Sequence, residues 1–150
     1  MPKIVPDIVQ TSAVMCASPS MTVRDAAILM DECAIAAVLI CHPSGRLAGI
    51  MTERDIVARV VAPGLDPSTV TVSEVMTHNP DTVGPDDRPE QALRMMRARN
   101  YRHIPVVDEH HHAIGMVSVR DLYAFVIEEL SENLRVQEGY IRGEAYGVAH

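Results

Sequence analysis

The sequence predicts a mixed α/β fold in which the order β-α-β-β-α occurs twice. Two observations lead to this prediction. The 150-residue chain contains 47% hydrophobic and 22% charged residues, which is enough to form a packed core in one domain or in two small ones. The second half of the chain also repeats the first half when the sequence is shifted by 66 residues.

The repeat needs no gap over positions 5–61. It contains ten identical pairs, where unrelated sequences of average composition would give roughly three or four. In the first copy these residues are Val9, Thr11, Pro19, Ala26, Met30, Gly49, Arg54, Asp55, Ala58 and Val60. Units of this size are marginally stable alone, so we expect the two copies to bury apolar faces against one another.

The first strand and helix of each copy follow from the spacing of apolar residues. Extended segments are predicted at residues 13–17 and 81–83. The helix of the first copy has apolar residues at i, i+3, i+4 and i+7, namely Val23, Ala26, Ala27 and Met30. Its second copy is predicted over residues 87–99, with Asp87 and Glu90 forming a capping box.

Two strands and a second helix complete each copy. The strands are predicted at residues 35–41, 47–51, 102–107 and 113–117, joined by turns at 43–45 and 110–112. Apolar residues of the closing helices are Ile56, Val57, Val60 and Val61, then Leu122, Tyr123, Val126, Ile127 and Leu130. The domains are therefore repeat 1 (5–61), a linker (62–70), repeat 2 (71–130), and a C-terminal segment (131–150). In that segment the helix is expected to fray into a tail at 139–150.

Composition and charge exclude some functions. The formal net charge of −7 disfavours binding to phosphate backbones, and 3% aromatic residues offer little for stacking on bases. We expect no nucleic-acid partner. Residues 1–10 lack the pattern of a signal peptide, and the longest apolar run, at 33–41, is far shorter than the roughly 20 residues of a membrane helix. We therefore expect a soluble, cytoplasmic protein with no membrane partner.

Three cysteines occur in the chain: Cys16, Cys33 and Cys41. Their odd number and the absence of a C-x-x-C spacing favour buried thiols in a reducing compartment over a disulfide or zinc framework.

A short motif occurs in each copy where a strand ends and the closing helix begins. A hydroxyl residue is followed three positions later by Asp, as Thr52 and Asp55 in the first copy and as Ser118 and Asp121 in the second. One interpretation is a helix N-cap, in which the hydroxyl and the carboxylate satisfy backbone N–H groups at the start of the helix.

The other interpretation of this motif is a ligand site. The N–H groups and dipole of a helix start favour an anion, and Arg54 and Arg120 in the same turn can neutralise a phosphate. Asp55 and Asp121 can accept hydrogen bonds from a sugar diol. Because capping does not require an Arg at the same position twice, the repeat favours a nucleotide ligand.

Two pairs of stretches and one single stretch, taken with the repeat, identify a family resemblance. The pairs are residues 7–9 with 74–77 and the two G-h-x-T/S-x-x-D segments. The single stretch is residues 102–108, with the sequence RHIPVVD. Over residues 5–130 the chain resembles a tandem pair of CBS (cystathionine-β-synthase) domains, which bind adenine nucleotides in many regulatory proteins. The resemblance implies α/β (α+β) repeats related by a pseudo-twofold axis and packed through their sheets, with two clefts between them. It also implies dimerisation.

The resemblance further implies which residues bind the nucleotide. For the second cleft they are Thr82, Val83, His103, Ile104, Pro105, Ser118, Arg120 and Asp121. For the first cleft they are Cys16, Ala17, Ala37, Val38, Thr52, Arg54 and Asp55. Cys16 stands where the second copy has Thr82, and a thiol is the poorer hydrogen-bonding group. We therefore expect the second cleft to bind more strongly.

A metal site and a catalytic site are not expected. The adjacent histidines at 110–112, with His42 in the equivalent turn, cannot all reach one ion from a tight turn. Motifs for phosphate-binding loops, zinc proteases and nucleophile elbows are lacking in the sequence. We expect a protein that is not an enzyme and requires no cofactor.

The leading hypothesis is a standalone regulatory module. It binds AMP, ADP, ATP or an adenine dinucleotide between the repeats and signals to a partner protein by a conformational shift, as a homodimer. The alternative is a ligand-free dimeric interaction or assembly module whose motifs serve only as caps. A third hypothesis, phosphate-ester hydrolysis by the histidine cluster and a metal, has the least support.

Overall fold

The repeated β-α-β-β-α order is confirmed by a computed structural model, which describes residues 1–10 and 14–148, with side chains as far as residue 139. The elements of the first repeat are β1 (Cys16–Ala17), α1 (Val23–Cys33), β2 (Ala37–Cys41), β3 (Leu47–Thr52) and α2 (Glu53–Ile56), which continues into a wider helical turn (Val57–Val61). The elements of the second are α3 (Val72–Val75), β4 (Thr77–His78), α4 (Pro89–Arg99), β5 (His103–Val107), β6 (Ala113–Ser118) and α5 (Val119–Val148).

The strands form one four-stranded and one two-stranded sheet. The larger sheet has the order β1-β2-β3-β4, with β1 parallel to β2 and the other pairs antiparallel. The smaller sheet is the antiparallel pair β5-β6. The strand predicted at residues 81–83 is reduced to one parallel bridge between Val83 and Val106.

Each repeat completes its core with residues from the N-terminal end of the other repeat. Val72, Val75 and Met76 pack in the core beneath α1 and β2 of the first repeat. Ile4 packs in the core of the second repeat, where its backbone N–H donates to the Asp87 carbonyl at 2.8 Å. This exchange explains how two marginal units become one stable fold, since neither repeat has a complete core of its own.

A third cluster joins the repeats through their sheets. Side chains of β2 alternate in direction, so that Val38 and Ile40 face α1 while Leu39 and Cys41 face the second repeat. The two turns also bond to one another, because Leu47 donates its N–H to the His111 carbonyl at 3.0 Å. The predicted packing of the repeats through their sheets is thus confirmed.

A glycine is required at position 49, where β4 pairs with β3. A Cβ atom at this position would lie 2.6 Å from the Thr77 carbonyl oxygen and from the Met76 sulfur. No side chain fits there without displacing the backbone of β4. At Gly115, its equivalent in β6, the nearest atom to a Cβ would be Val106 Cβ at 3.7 Å. The second sheet consists of β5 and β6, so β6 has no neighbouring strand in the position of β4.

One expectation about the helices of the second half is wrong. Asp87 and Glu90 do not form a capping box, because α4 begins at Pro89, two residues later than predicted, and the Asp87 carboxylate accepts the Gly84 N–H at 2.7 Å instead. The last helix continues to Val148, through the residues where a frayed end and a tail are expected. Two parts of the predictions lie outside the described residues. They are residue 13 of the strand predicted at 13–17 and residues 149–150 of the tail predicted at 139–150.

The expectation of buried thiols is wrong for two of the three cysteines. Cys16, on an edge strand, and Cys33, in the last turn of α1, are exposed, and only Cys41 is buried. No helix in the described part of the chain combines the length and the apolar character needed to cross a bilayer.

Candidate functional site

Both T/S-x-x-D motifs form helix caps. Asp55 Oδ2 accepts hydrogen bonds from the Thr52 backbone N–H at 2.9 Å and hydroxyl at 3.1 Å, and the Thr52 hydroxyl accepts the Asp55 N–H at 3.2 Å. Asp121 and Ser118 make the same contacts at 2.8, 2.9 and 3.2 Å. Each cap uses one carboxylate oxygen, Oδ2, and the other oxygen of Asp55 lies 3.9 Å from Arg59 Nε. The capping interpretation is therefore correct and does not exclude a ligand.

The first cleft, which we name the Asp55 cleft, combines residues of both repeats. Its volume is about 500 Å³. The first repeat contributes Ile50, Thr52, Arg54 and Asp55, and the second contributes residues 79–81 and 99–103 with Thr77. The motif of the first repeat thus faces the loops and the start of β5 in the second repeat. The motif lies where β3 ends and α2 begins, and this end of β3 is next to the second repeat.

The far wall of the Asp55 cleft is polar and ordered. The Tyr101 hydroxyl donates to Asp81 Oδ2 at 3.0 Å, and Arg99 Nε lies 3.5 Å from the same oxygen. Burial and the hydrogen bond to Asp81 raise the pKa of Tyr101 to about 12. The phenol ring is therefore held neutral and in a fixed position at the rim of the cleft.

The second cleft, which we name the Asp121 cleft, is the pseudo-twofold equivalent of the first. It has a volume of about 440 Å³ and includes Asp121, Met116, Val14, Met15, Ile35 and Ala37. Shifting these numbers by 66 gives Asp55, Ile50, Pro80, Asp81, Tyr101 and His103. The polar wall of the Asp55 cleft is thus replaced by apolar side chains around Asp121.

A basic cleft of about 470 Å³ lies between the two motifs. It is lined by the start of α2, the start of α5, and the Asn100–His103 stretch, which place Arg54, Arg102 and Arg120 around one space. Among the described residues, Glu53 is the one carboxylate that lines it. This central cleft shares Thr52, Arg54 and His103 with the Asp55 cleft, so the two spaces adjoin.

His103 lies at the boundary of the Asp55 and central clefts. Burial lowers its pKa, with a smaller contribution from Arg102, while Asp121 and Glu53 act in the opposite direction. The neutral imidazole is therefore favoured at this position, and its ring can offer one donor and one acceptor to a ligand.

The structure does not group the sequence-predicted residues by repeat. Thr52, Arg54, Asp55 and His103 meet in the Asp55 cleft, Ala37 and Asp121 meet in the Asp121 cleft, and Ser118 and Arg120 line the central cleft. The remaining residues line none of these three clefts: Ala17, Val38, Val83, Ile104 and Pro105 are buried, Thr82 is half-buried beside Val83, and Cys16 contacts Cys41. The reason is that side chains alternate along each strand, so only alternate positions can face a cleft.

Sequence analysis missed the polar wall of the Asp55 cleft. Asn79, Asp81, Asn100, Tyr101 and Arg102 line it, and their equivalents in the first copy are Ala13, Met15, Ala34, Ile35 and Ala36. A signal was present, because each of these five differences between the copies replaces an apolar residue of the first copy with a polar or aromatic residue in the second.

The histidine turn is organised by Asp108. Its Oδ1 accepts the backbone N–H groups of His110 and His112, both at 2.9 Å, and these bonds hold the pKa of Asp108 below its usual range. Within the described residues, no group of three or more His, Cys, Asp or Glu side chains is arranged to hold a metal ion.

Two pseudosymmetric α/β repeats with clefts at their junction define a tandem-domain binding module. The chain belongs to the CBS domain family, whose sequence profile matches residues 5–62 and 72–128. It is 33% identical over 126 residues to the mitochondrial CBS domain-containing protein CBSX3 of Arabidopsis thaliana, covering 81% of this chain and 61% of that protein. It is 35% identical over 112 residues to the CBS domain-containing protein YhcV of Bacillus subtilis, covering 75% and 78%.

Solved structures share the fold. A CBS-domain protein of Burkholderia ambifaria superposes with a TM-score of 0.76 at 28% identity, over 85% of this chain and 95% of that one. The CBS domain pair of protein MJ0100, solved in complex with 5′-methylthioadenosine and S-adenosyl-L-methionine, gives 0.73 at 27% identity, over 81% and 98%. This chain spans 61%, 18% and 56% of the length of three curated relatives, so it corresponds to only part of each.

Proposed function

We propose that this protein is a regulatory module that binds an adenosine nucleotide in the Asp55 cleft and extends the phosphates into the central cleft. The observation that carries this proposal is the adjacency of the two spaces. The Asp55 cleft has the Asp55 carboxylate and the fixed ring of Tyr101, and the central cleft has Arg54, Arg102 and Arg120, of which Arg54 and Arg102 line both spaces. A nucleoside phosphate joins a flat base through a sugar diol to an anion, so it offers a partner to each of these groups.

Each group has a role that its chemistry supports. Asp55 Oδ1, which also lies 3.9 Å from Arg59 Nε, accepts hydrogen bonds from the ribose hydroxyls. Tyr101 and Ile50 provide a surface for the base, and His103 contributes a neutral imidazole near it. Arg54, Arg102 and Arg120 pair with phosphate oxygens. The complex of the MJ0100 domain pair with adenosine compounds supports an adenosine ligand here.

The Asp121 cleft is proposed as the weaker site. The sequence analysis expected the cleft with Asp121 to bind more strongly, with His103 beside it. His103 lines the Asp55 cleft, whereas Met15, Ile35 and Ala37 line the Asp121 cleft, although Asp121 is near enough to His103 to act on its pKa. An apolar wall offers fewer hydrogen bonds to the base, so the ranking proposed here is the reverse.

A panel of thermal unfolding and calorimetric titrations tests the proposal. AMP, ADP, ATP, NAD, S-adenosylmethionine and GTP are compared on the wild type, Asp55→Ala and Asp121→Ala. A ligand at about one hundred times its Kd adds roughly 2.7 kcal/mol of stability. We expect an adenosine compound to stabilise the wild type and Asp121→Ala but not Asp55→Ala. Both variants lose the same cap, so each controls for the other.

A homodimer is proposed from an apolar surface on the closing helices. Val57 and Val61 of the α2 helix are exposed, and so are their pseudo-twofold equivalents on α5, Tyr123 and Ile127. Leu130 and Leu134 extend the same face along α5 by two further turns. A surface with this internal symmetry can be buried against a second copy of itself around a twofold axis. Light scattering should give a dimer mass, and Ile127→Glu should give a monomer.

Signalling to a partner protein would follow from ligand contact with both repeats. The Asp55 cleft is built from both, so a bound nucleotide favours one relative arrangement over another. The competing proposal, a ligand-free assembly module, is favoured by one observation: the motif carboxylates already serve as caps. If no nucleotide changes the unfolding temperature while the dimer is present, the assembly module is the correct function.

A further inference from the structure

A thiol pair in the first repeat suggests a modification site. Cys16 Sγ in β1 and Cys41 Sγ at the end of β2 are 2.6 Å apart. The strands are parallel, with Cys16 opposite Leu39, and Cys41 lies two residues after Leu39 on the same face of β2. Disulfide formation needs the sulfurs to approach to about 2.05 Å, so a movement of roughly half an ångström suffices.

The two thiols differ in access and acidity. Cys16 is exposed, whereas Cys41 is buried. Cys41 donates a hydrogen bond to Cys16, which lowers the pKa of the Cys16 thiol; burial acts against this with a smaller effect. The same hydrogen bond, followed by burial, raises the pKa of Cys41. An accessible sulfur that ionises first, beside a second sulfur shielded from solvent, is the arrangement of an attacking and a resolving cysteine.

We propose that Cys16 and Cys41 form a reversible disulfide through exchange with a low-molecular-weight disulfide such as oxidised glutathione. The Cys16 thiolate attacks one sulfur of oxidised glutathione, which forms a mixed disulfide and releases one glutathione thiolate. That thiolate takes the Cys41 proton, and Cys41 Sγ then attacks Cys16 Sγ. The second glutathione leaves as a thiolate and takes a proton from solvent. This proton balances the one that Cys16 released to solvent when it ionised. The protein loses two electrons and two protons, and oxidised glutathione becomes two molecules of glutathione.

The second repeat supplies a built-in control. Its equivalents of Cys16 and Cys41 are Thr82 and Val107, so only one of the two repeats carries the pair. Cys33 is the remaining thiol, and its Sγ lies 3.2 Å from Met15 Sδ rather than beside another cysteine. Cys16→Thr and Cys41→Val therefore introduce residues that the fold already accepts at these positions.

The disulfide also affects the Asp121 cleft, a consequence that rests on the proposed function. Met15 precedes Cys16 and lines that cleft with Ile35 and Ala37. A covalent bond between β1 and β2 restricts the wall that Met15 forms, whereas the Asp55 cleft is lined by neither cysteine nor Met15. Oxidation is therefore expected to change nucleotide affinity at the Asp121 cleft while affinity at the Asp55 cleft stays the same.

The test is incubation of the full chain in glutathione buffers of increasing oxidised fraction, followed by thiol alkylation and intact-mass measurement. The wild type should lose about 2 Da without gaining glutathione and keep one alkylatable thiol, at Cys33. Its unfolding temperature should rise by about 5–10 °C, since the bond closes a loop that contains α1. Cys33→Ser should behave like the wild type, whereas Cys16→Thr and Cys41→Val should show neither change.

Three results would overturn the proposal: three alkylatable thiols at every buffer composition, a mixed disulfide that never resolves, or loss of the mass change in Cys33→Ser. Cys16→Thr is the decisive variant if Cys41→Val does not fold, because residue 16 is exposed. AMP titration of the oxidised and reduced wild type separates the two proposals. Oxidation without AMP binding in either state contradicts the proposed nucleotide function and leaves the disulfide established.

Discussion

The Asp55 and Asp121 clefts are formed by equivalent residues of the two repeats and have the same capped motif, but they differ in the wall that faces the motif. Around Asp55 the wall contains Asp81, Tyr101 and His103, and around Asp121 it contains Met15, Ile35 and Ala37. The cap therefore belongs to the fold, since both repeats keep it with nearly equal distances. We expect the wall, which one repeat supplies to the other, to set any difference in ligand binding between the clefts.

The largest expected difference between the repeats concerns their equivalent glycines. Gly49→Ala should lower the free energy of unfolding by about 2–3 kcal/mol, because its Cβ atom would meet the backbone of β4. Gly115→Ala should change it by less than about 1 kcal/mol, because its Cβ atom has ordinary contacts. Urea unfolding of the two variants measures this. Equal losses of unfolding free energy in the two variants would show that the pairing of β4 with β3 does not cause the requirement for glycine.

The next difference concerns the aromatic wall. Tyr101→Ile copies Ile35 into the Asp55 cleft and should weaken AMP binding about tenfold, since stacking on a base contributes roughly 1–3 kcal/mol. Ile35→Leu, at the equivalent position of the Asp121 cleft, is the matched control and should leave the affinity unchanged. Calorimetric titration gives both values. Tyr101→Phe keeps the ring and loses the bond to Asp81, so retained affinity in this variant assigns the effect to stacking.

The two caps should contribute equally to the free energy of unfolding. Thr52→Ala and Ser118→Ala each remove the hydroxyl that accepts an Asp N–H at 3.2 Å, so each should cost about 1 kcal/mol of stability. Thermal unfolding without ligand measures both. A cost confined to one variant would contradict the view that the cap is a property of the fold rather than of either cleft.

The smallest effect is expected from His103, which has Ala37 as its equivalent. Because burial lowers the folded-state pKa of His103 below the usual 6.5, the unfolded chain binds its proton more readily. This contribution to stability is complete above about pH 6.5 and is lost as the pH falls through the folded-state value. Urea unfolding between pH 7 and 5 should show a shallower pH slope in His103→Asn than in the wild type, and parallel slopes would contradict the assignment.

Much of the fold was predictable from local sequence. Ten identities at a fixed offset predict two similar units, and short apolar runs joined by turns predict β2, β3, β5 and β6 to within two residues at each end. Both motif caps follow from residue types three positions apart. The start of α4 was missed because Pro89 and a Gly84 contact compete with a capping box that local sequence also permits.

The composition of each cleft depended on tertiary structure. A sequence comparison assigns Asp55 to the first repeat and Tyr101 to the second, and nothing in local spacing predicts that they line one space. They meet because the repeats exchange their N-terminal segments and pack sheet against sheet, which brings the start of α2 opposite the loop before β5. The contact between Cys16 and Cys41 arises in the same way, from strand pairing across α1. Residue type and periodicity thus determine the elements and their caps, whereas contacts between residues distant in the chain depend on packing, which local patterns do not encode.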